Sequence, residues 1–213
     1  MKKLLIALIL PLLVSCELTY DAETRMVFET TLLDSDGNPL ENIEVAVEAR
    51  NSTDTEVISK GRTGIDGKIL LIFPMPDGTM DVLINDYYGQ APNEFQRKKL
   101  RNLHEDDFVN YKYSYTPLVL FRPSEITNLN LSYENVSFQY SSVRDVYISG
   151  DDPAYEIDFN PDYEYDLMPY QLQVIKNSNI LLHYTLVGVD GSETPVNAPL
   201  SIGEESINYT ITY

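Results

Sequence analysis

Apolar side chains recur at every second position through most of this chain, and a period of two admits half-buried strands while excluding amphipathic helices. Met26, Phe28, Thr30 and Leu32 share one face. Ile43, Val45, Val47 and Ala49 then alternate with Glu44, Ala46, Glu48 and Arg50. Between these runs lies Asp34-Ser35-Asp36-Gly37-Asn38-Pro39, where Gly37 supplies a positive φ and Pro39 cannot donate to a ladder. Thr63-Gly64-Ile65-Asp66-Gly67 marks a second reversal, with Asp66-Gly67 as its hairpin signal. Ile69-Leu70-Leu71-Ile72-Phe73 is apolar on both faces, which predicts a central strand ended by Pro74 and Pro76. Met80, Val82 and Ile84 point inward from the strand after it.

The exception is the N-terminus, where two lysines precede an apolar run from Leu4 to Val14 and then Ser15 and Cys16. That is the plan of a secretory signal, too short for a permanent bilayer span. Leu13-Val14-Ser15-Cys16 resembles the lipobox of bacterial lipoproteins. The resemblance implies a signal peptide over residues 1–15 and acylation of Cys16, which becomes the first residue of the mature chain. Acyl chains contribute about 0.8 kcal/mol per buried methylene, so the implied partner of Cys16 is a membrane. Glu17 stands where an aspartate retains some lipoproteins in the inner membrane, which points to the outer one. Residues 16–24 are expected as a lipidated tether.

A second resemblance rests on Asp36-Gly37-Asn38-Pro39-Leu40, Ile43-Glu44-Val45, Thr63-Gly64-Ile65-Asp66-Gly67-Lys68 and the buried strand and prolyl turn that follow. This series is similar to the carboxypeptidase regulatory-like domain, a module of bacterial secreted and surface proteins. It implies a transthyretin-like β-sandwich over residues 25–133 and no active-site residue. The family's Gly-Tyr dipeptide after the fifth strand is replaced here by Tyr87-Tyr88-Gly89 and a polar insertion near 90–110. Phe95, Leu100 and Leu103 in that insertion have helical spacing, and Arg97, Lys98, Lys99 and Arg101 form the chain's basic cluster. The expectation there is a short solvated helix. Residues 134–213 alternate again, at Val136, Phe138 and Tyr140, over Leu172 to Lys176 and Ile180 to Val189, and from Ile207 to Tyr213. They are expected as an immunoglobulin-like β-domain. The fold class expected is thus all-β, with two small antiparallel β-sandwiches after a cleaved signal peptide.

The acidic loop 151–166 carries Asp158, Asn160, Asp162, Glu164 and Asp166 at every second position. Hard oxygen ligands in that pattern suit calcium, and Asp158, Asp162, Glu164 and Asp166 are its candidate ligands. The loop is no EF-hand, because Tyr163 and Pro169 occupy the positions that need glycine and the closing glutamate. Calcium is therefore the one cofactor with candidate residues. Tyr155, Tyr163 and Tyr165 in the same stretch are candidate binding residues, since aromatic faces stack on sugars and anchor protein interfaces.

Charge and residue counts narrow the function. Fifteen basic side chains against 33 acidic give −18, and loss of Lys2 and Lys3 with the signal brings the mature side chains to −20. A nucleic-acid partner is excluded by that balance. From Asp145 onward there are 12 acids and a single base, Lys176. One Cys and two His, His104 and His183, leave no disulfide framework and little for zinc or thiol chemistry. No Gly-x-Ser-x-Gly, phosphate-binding glycine loop or His-Glu-x-x-His occurs. The expectation is a non-catalytic binding or adhesion lipoprotein with a protein or glycan partner. The alternatives are a structural accessory of an outer-membrane assembly and a calcium-dependent glycan-binding protein.

Overall fold

The face expected from Met26 to Leu32 forms as read, with Met26, Phe28, Thr30 and Leu32 buried on one side of a long first strand. A computed structural model describes residues 20–51, 54–86, 94–115, 117–149, 153–154, 156–158 and 169–213. The first half contains β1 (Tyr20–Leu33), β2 (Glu44–Arg50), β3 (Thr55–Arg62), β4 (Lys68–Pro76), β5 (Thr79–Ile84), β6 (Lys98–Leu103), β7 (Lys112–Ser114) and β8 (Leu118–Val119). The second contains β9 (Ile126–Glu134), β10 (Tyr140–Ser149), β11 (Glu156–Asp158), β12 (Gln171–Ile175), β13 (Asn179–Gly188), β14 (Glu193–Ser201) and β15 (Ile207–Thr212).

The chain is all-β and packs as two sandwiches. In the first, a sheet ordered β4-β1-β7, with β8 also on β1, faces a sheet ordered β11-β6-β5-β2-β3. Its core joins Met26, Phe28, Leu32, Val45, Val47, Phe73, Val82, Ile84, Leu100 and Leu120. In the second, sheets β12-β9-β15 and β10-β13-β14 enclose Leu129, Leu131, Val143, Val174, Leu182, Tyr184 and Ile211. Most pairs are antiparallel, but β7 and β8 on β1, β11 on β6 and β15 on β9 run parallel.

Both expected reversals are built by their own side chains. Asp34 Oδ1 accepts the backbone N–H groups of Asp36 and Asn38 at 3.0 and 2.8 Å, and Gly37 closes the turn at φ +82°. Gly67 sits at φ +72°, and a Cβ there would lie 2.5 Å from the Leu32 carbonyl oxygen, so both the turn and its packing require glycine. Buried Thr63 links the reversals to β2, donating to the Leu40 carbonyl at 2.6 Å and accepting the Ile43 N–H at 2.9 Å.

Several expectations are corrected. β1 begins at Tyr20, with Tyr20 and Asp21 paired to Pro76 and Met75, so the supposed tether over 16–24 is already sheet from residue 20. β4 is an edge strand, not a central one, and its second apolar face leaves Leu70 and Ile72 more than half exposed. Residues 98–103 form β6 instead of a helix. The helical spacing of Leu100 and Leu103 comes from a bulge, with Asn102 at φ +56°, that turns both side chains inward. β9, expected to finish the first sandwich, lies at the centre of the second, so the change of core falls at the 3-10 turn Pro123–Glu125 and not at residue 134. Val136 and Phe138 precede β10 and are exposed, so they form no strand face. β14 forms where no strand was expected, and its Pro195 and Pro199 fit because β14 is an edge.

Candidate binding surfaces

The basic cluster is consumed inside the first sandwich. Lys99 Nζ lies 3.0 Å from the buried carboxylate of Asp81, Arg50 approaches the same group at 3.9 Å, and Arg97 pairs with Asp86 at 3.3 Å. Asp81 Oδ1 also accepts the Asn102 N–H at 3.0 Å, which fixes the β6 bulge. Lys98 is buried. These residues hold strands together and offer no docking loop for an anion.

Cys16, Tyr155, Asp162, Tyr163, Glu164, Tyr165 and Asp166 lie outside the described residues. Asp158 is placed by its backbone alone, on β11 beside Arg101 of β6. The acidic stretch therefore returns to the first sandwich in its middle, and Gln96 Nε2 donates to the Pro153 carbonyl at 2.9 Å just ahead of it. Among the described residues, no three His, Cys, Asp or Glu side chains converge as a metal site. His104 caps the 3-10 turn Glu105–Asp107 and lines a cleft of about 640 Å³ with Tyr20, Asp21, Met75 and Asp77.

Burial pushes Tyr113, Tyr133 and Tyr184 up to about 12, so these phenols stay protonated and serve as packing groups. Among the described residues the exposed aromatic rings are Tyr111, Phe138, Tyr147 and Tyr170. They lie on separate elements instead of forming one cluster. Phe138 stands fully exposed in the connection before β10, and Tyr170 meets Tyr133 edge-on at 6.0 Å.

Among the described residues, Tyr147 is the one exposed ring built into a sheet. It sits on the outer face of β10 opposite His183 of β13, which is opposite Asn197 of β14. The Tyr147 and His183 rings stack at 4.7 Å and 13°, and His183 Nδ1 lies 2.7 Å from Asn197 Oδ1. Beside this row, Arg144 reaches Glu193 at 2.6 Å and Asp145 at 3.3 Å. Sequence alone does not single out Tyr147, because the bulge before it breaks the alternation.

No family model and no curated protein matches the sequence. Solved structures that resemble the chain include a 9R-lipoxygenase from Cyanothece PCC8801, at 18% identity and TM-score 0.33 over 55% of this chain and 20% of that one. Another is the shaft pilin SpaA from Lactobacillus rhamnosus GG, at 11% identity and TM-score 0.33 over 89% of this chain and 98% of the pilin. A third is the tip fimbrial protein Mfa3 from Porphyromonas gingivalis, at 7% identity and TM-score 0.31 over 82% and 81% of the two chains. The chain spans only a fifth of the lipoxygenase. At such distances function must be argued from the residues of this chain.

Proposed function

We propose that the chain is a non-catalytic binding or adhesion module of the bacterial cell envelope, held in the outer membrane by acyl chains on Cys16. The observation that carries this reading is the short interval between the lipobox and the fold: sheet pairing begins at Tyr20, four residues after Cys16. Four residues reach at most about 14 Å, so an acylated Cys16 holds the Tyr20 end of the first sandwich against the bilayer. The first sandwich is then a carboxypeptidase regulatory-like module used as a scaffold, a reading supported by the Asp34–Asn38 turn and the Thr63–Gly67 hairpin. The second sandwich, linked through Pro123–Glu125, presents the surface that binds.

Metabolic labelling with an alkyne-bearing palmitate tests the anchor. The expected result is label on the wild-type protein in the membrane fraction, and loss of label together with release into the soluble fraction for Cys16→Ala. A mature protein that begins elsewhere and takes up no label overturns the anchor.

A further inference from the structure

We propose that the free edge of β15 is a self-association site, at which two copies of the chain join about a two-fold axis with β15 antiparallel to its copy and Thr210 facing Thr210. The inference goes beyond the reading of the chain as a binding module and does not depend on the acyl anchor.

Among the described residues β15 pairs with β9 alone, so one side of it is open. The Tyr213 N–H donates to the Glu134 carbonyl at 2.9 Å, in line with the β9 ladder. Odd-numbered residues of the strand therefore turn their backbone groups to β9, and Asn208, Thr210 and Thr212 turn theirs outward. Edges that must stay single are blunted by proline, charge or bulges. In this molecule β14 carries Pro195 and Pro199, β10 two register shifts, β4 Pro74 and Pro76, and β3 Lys60 and Arg62. β12 is shorter, and the Ser178 hydroxyl donates to its Ile175 carbonyl at 2.6 Å. β15 runs from Ile207 to Thr212 with no proline, no charge and an unbroken register on β9.

This strand is its own complement. With Thr210 on the axis, Asn208 meets Thr212 of the second copy, and such directly opposed residues exchange both of their N–H···O bonds. Every outward N–H and C=O of the two strands then finds a partner. On the inner face Ile207 comes beside Tyr213 of the second copy and Tyr209 beside its Ile211, pairs of an aromatic with a β-branched side chain that stabilise adjacent strands. Ile207, Tyr209 and Tyr213 are only partly buried at the margin of the second core, so the seam continues that core across the axis. On the outer face Gln171 Nε2 donates to Asn130 Oδ1 and Asn130 Nδ2 to Asn208 Oδ1, each at 3.0 Å, which leaves the Asn208 amide N–H groups at the end of the row. Thr212 of the second copy brings its hydroxyl to that end.

Charge selects a copy of this strand over a foreign one. From Asp145 onward the chain has 12 acids against Lys176 alone, so its long-range field draws basic partners. A basic strand at this edge would lay its charges against amides and hydroxyls, because Ile207–Thr212 offers no carboxylate. The strand that fits is neutral and alternates hydroxyl or amide with apolar side chains, and β15 is such a strand. Beyond the seam two copies of a chain of net −18 repel each other, so added salt should tighten the dimer, the reverse of an interface held by ion pairs. The seam is one strand wide, less than the ~1,200 Å² of a standard interface, which puts the dissociation constant in the micromolar range or weaker.

The test is sedimentation equilibrium of the mature chain, with Cys16→Ser for solubility, at concentrations from about 10 µM to about 1 mM. A monomer–dimer equilibrium is expected, tightening as NaCl rises from about 0.05 M to about 0.5 M. Thr210 is exposed, so Thr210→Lys and Thr210→Glu should melt within a few degrees of the parent while each sets like charges together on the axis. Either variant alone should dimerise at least about tenfold more weakly than the parent. Mixed in equal amounts, the two should dimerise about as well as the parent, because lysine then faces glutamate. A parent that stays monomeric throughout, or a dimer indifferent to Thr210→Lys, overturns the proposal. A dimer lost in both variants and not restored by mixing them overturns the pairing of Thr210 with its own copy. Loss of the dimer with Ile72→Lys but not with Thr210→Lys places the seam on β4 and overturns it as well.

Discussion

Asp81 organises the polar interior of the first sandwich: its carboxylate is 1% exposed, holds Lys99 and Arg50, and accepts the Asn102 N–H of the β6 bulge. Removing one partner of a buried pair leaves the other charge without compensation, at about 3–5 kcal/mol. Asp81→Ala is therefore expected to lower the urea-unfolding free energy by about 3 kcal/mol or more, and Asp81→Asn by less because it keeps an acceptor for Asn102. A loss under about 1 kcal/mol would mean the cluster is solvated like a surface pair. The same residues show why the basic run was misread. Arg97 to Arg101 are contiguous in sequence, whereas their acids Asp81 and Asp86 lie one strand earlier and across the ladder. Cross-strand pairing is invisible until register is known, and the bulge at Asn102 gave two core leucines a helical spacing.

At the scale of elements, β4 shows where an apolar run is ambiguous. Leu70 and Ile72 face outward on an edge strand, and their neighbours on β1 are Glu29 and Val27. An exposed apolar edge without a charge at its centre is a site for unwanted pairing. Ile72→Lys is expected to raise the concentration at which the chain aggregates on warming while moving its melting temperature by no more than a few degrees. A large fall in melting temperature would place Ile72 in a packed interface. β1, β12, β13 and β15 were legible because they have one wetter and one drier face, a contrast that alternation encodes directly; β2 and β5 alternate in the same way, although their polar residues Glu48 and Asp81 are buried. β4 escaped because both faces are apolar, and β14 because proline is forbidden only where a ladder bond is needed. The row Tyr147–His183–Asn197 was not legible in the sequence, because Tyr147 and Asn197 come from strands set by a bulge and a proline-bearing edge.

The whole molecule depends on the short junction where the two cores meet. Arg122 is paired with Glu94 at 2.7 Å and Glu125 at 3.6 Å and lies 4.7 Å above the Phe95 ring, while Glu125 also accepts the Ser35 hydroxyl at 2.7 Å. The Lys176 N–H donates to the Glu125 carbonyl at 2.9 Å, bringing the second sandwich to the same point. Burial pushes the Glu125 carboxyl up, but the Arg122 backbone N–H, the Ser35 hydroxyl and the Arg122 charge outweigh it and hold it below its ordinary 4.5. Asp34 likewise is raised by burial and more than compensated by hydrogen bonds from Asn38 and Asp36 and by Arg122, ending below 3.8. Both groups bind protons less readily folded than unfolded, so their contribution is complete above those ordinary values and is lost as pH falls through the lowered ones. Below about pH 4 the junction should loosen before either apolar core does. The expected outcome is a single calorimetric transition at pH 7 that splits into two at acid pH, with new cleavage by an acid protease between residues 120 and 126. Arg122→Ala should produce the split already at pH 7, because it removes the side chain that ties Glu94, Glu125 and the Phe95 ring together at the junction. A transition that stays single down to the point of global acid unfolding, in both proteins, would show that the sandwiches are coupled by something other than this cluster.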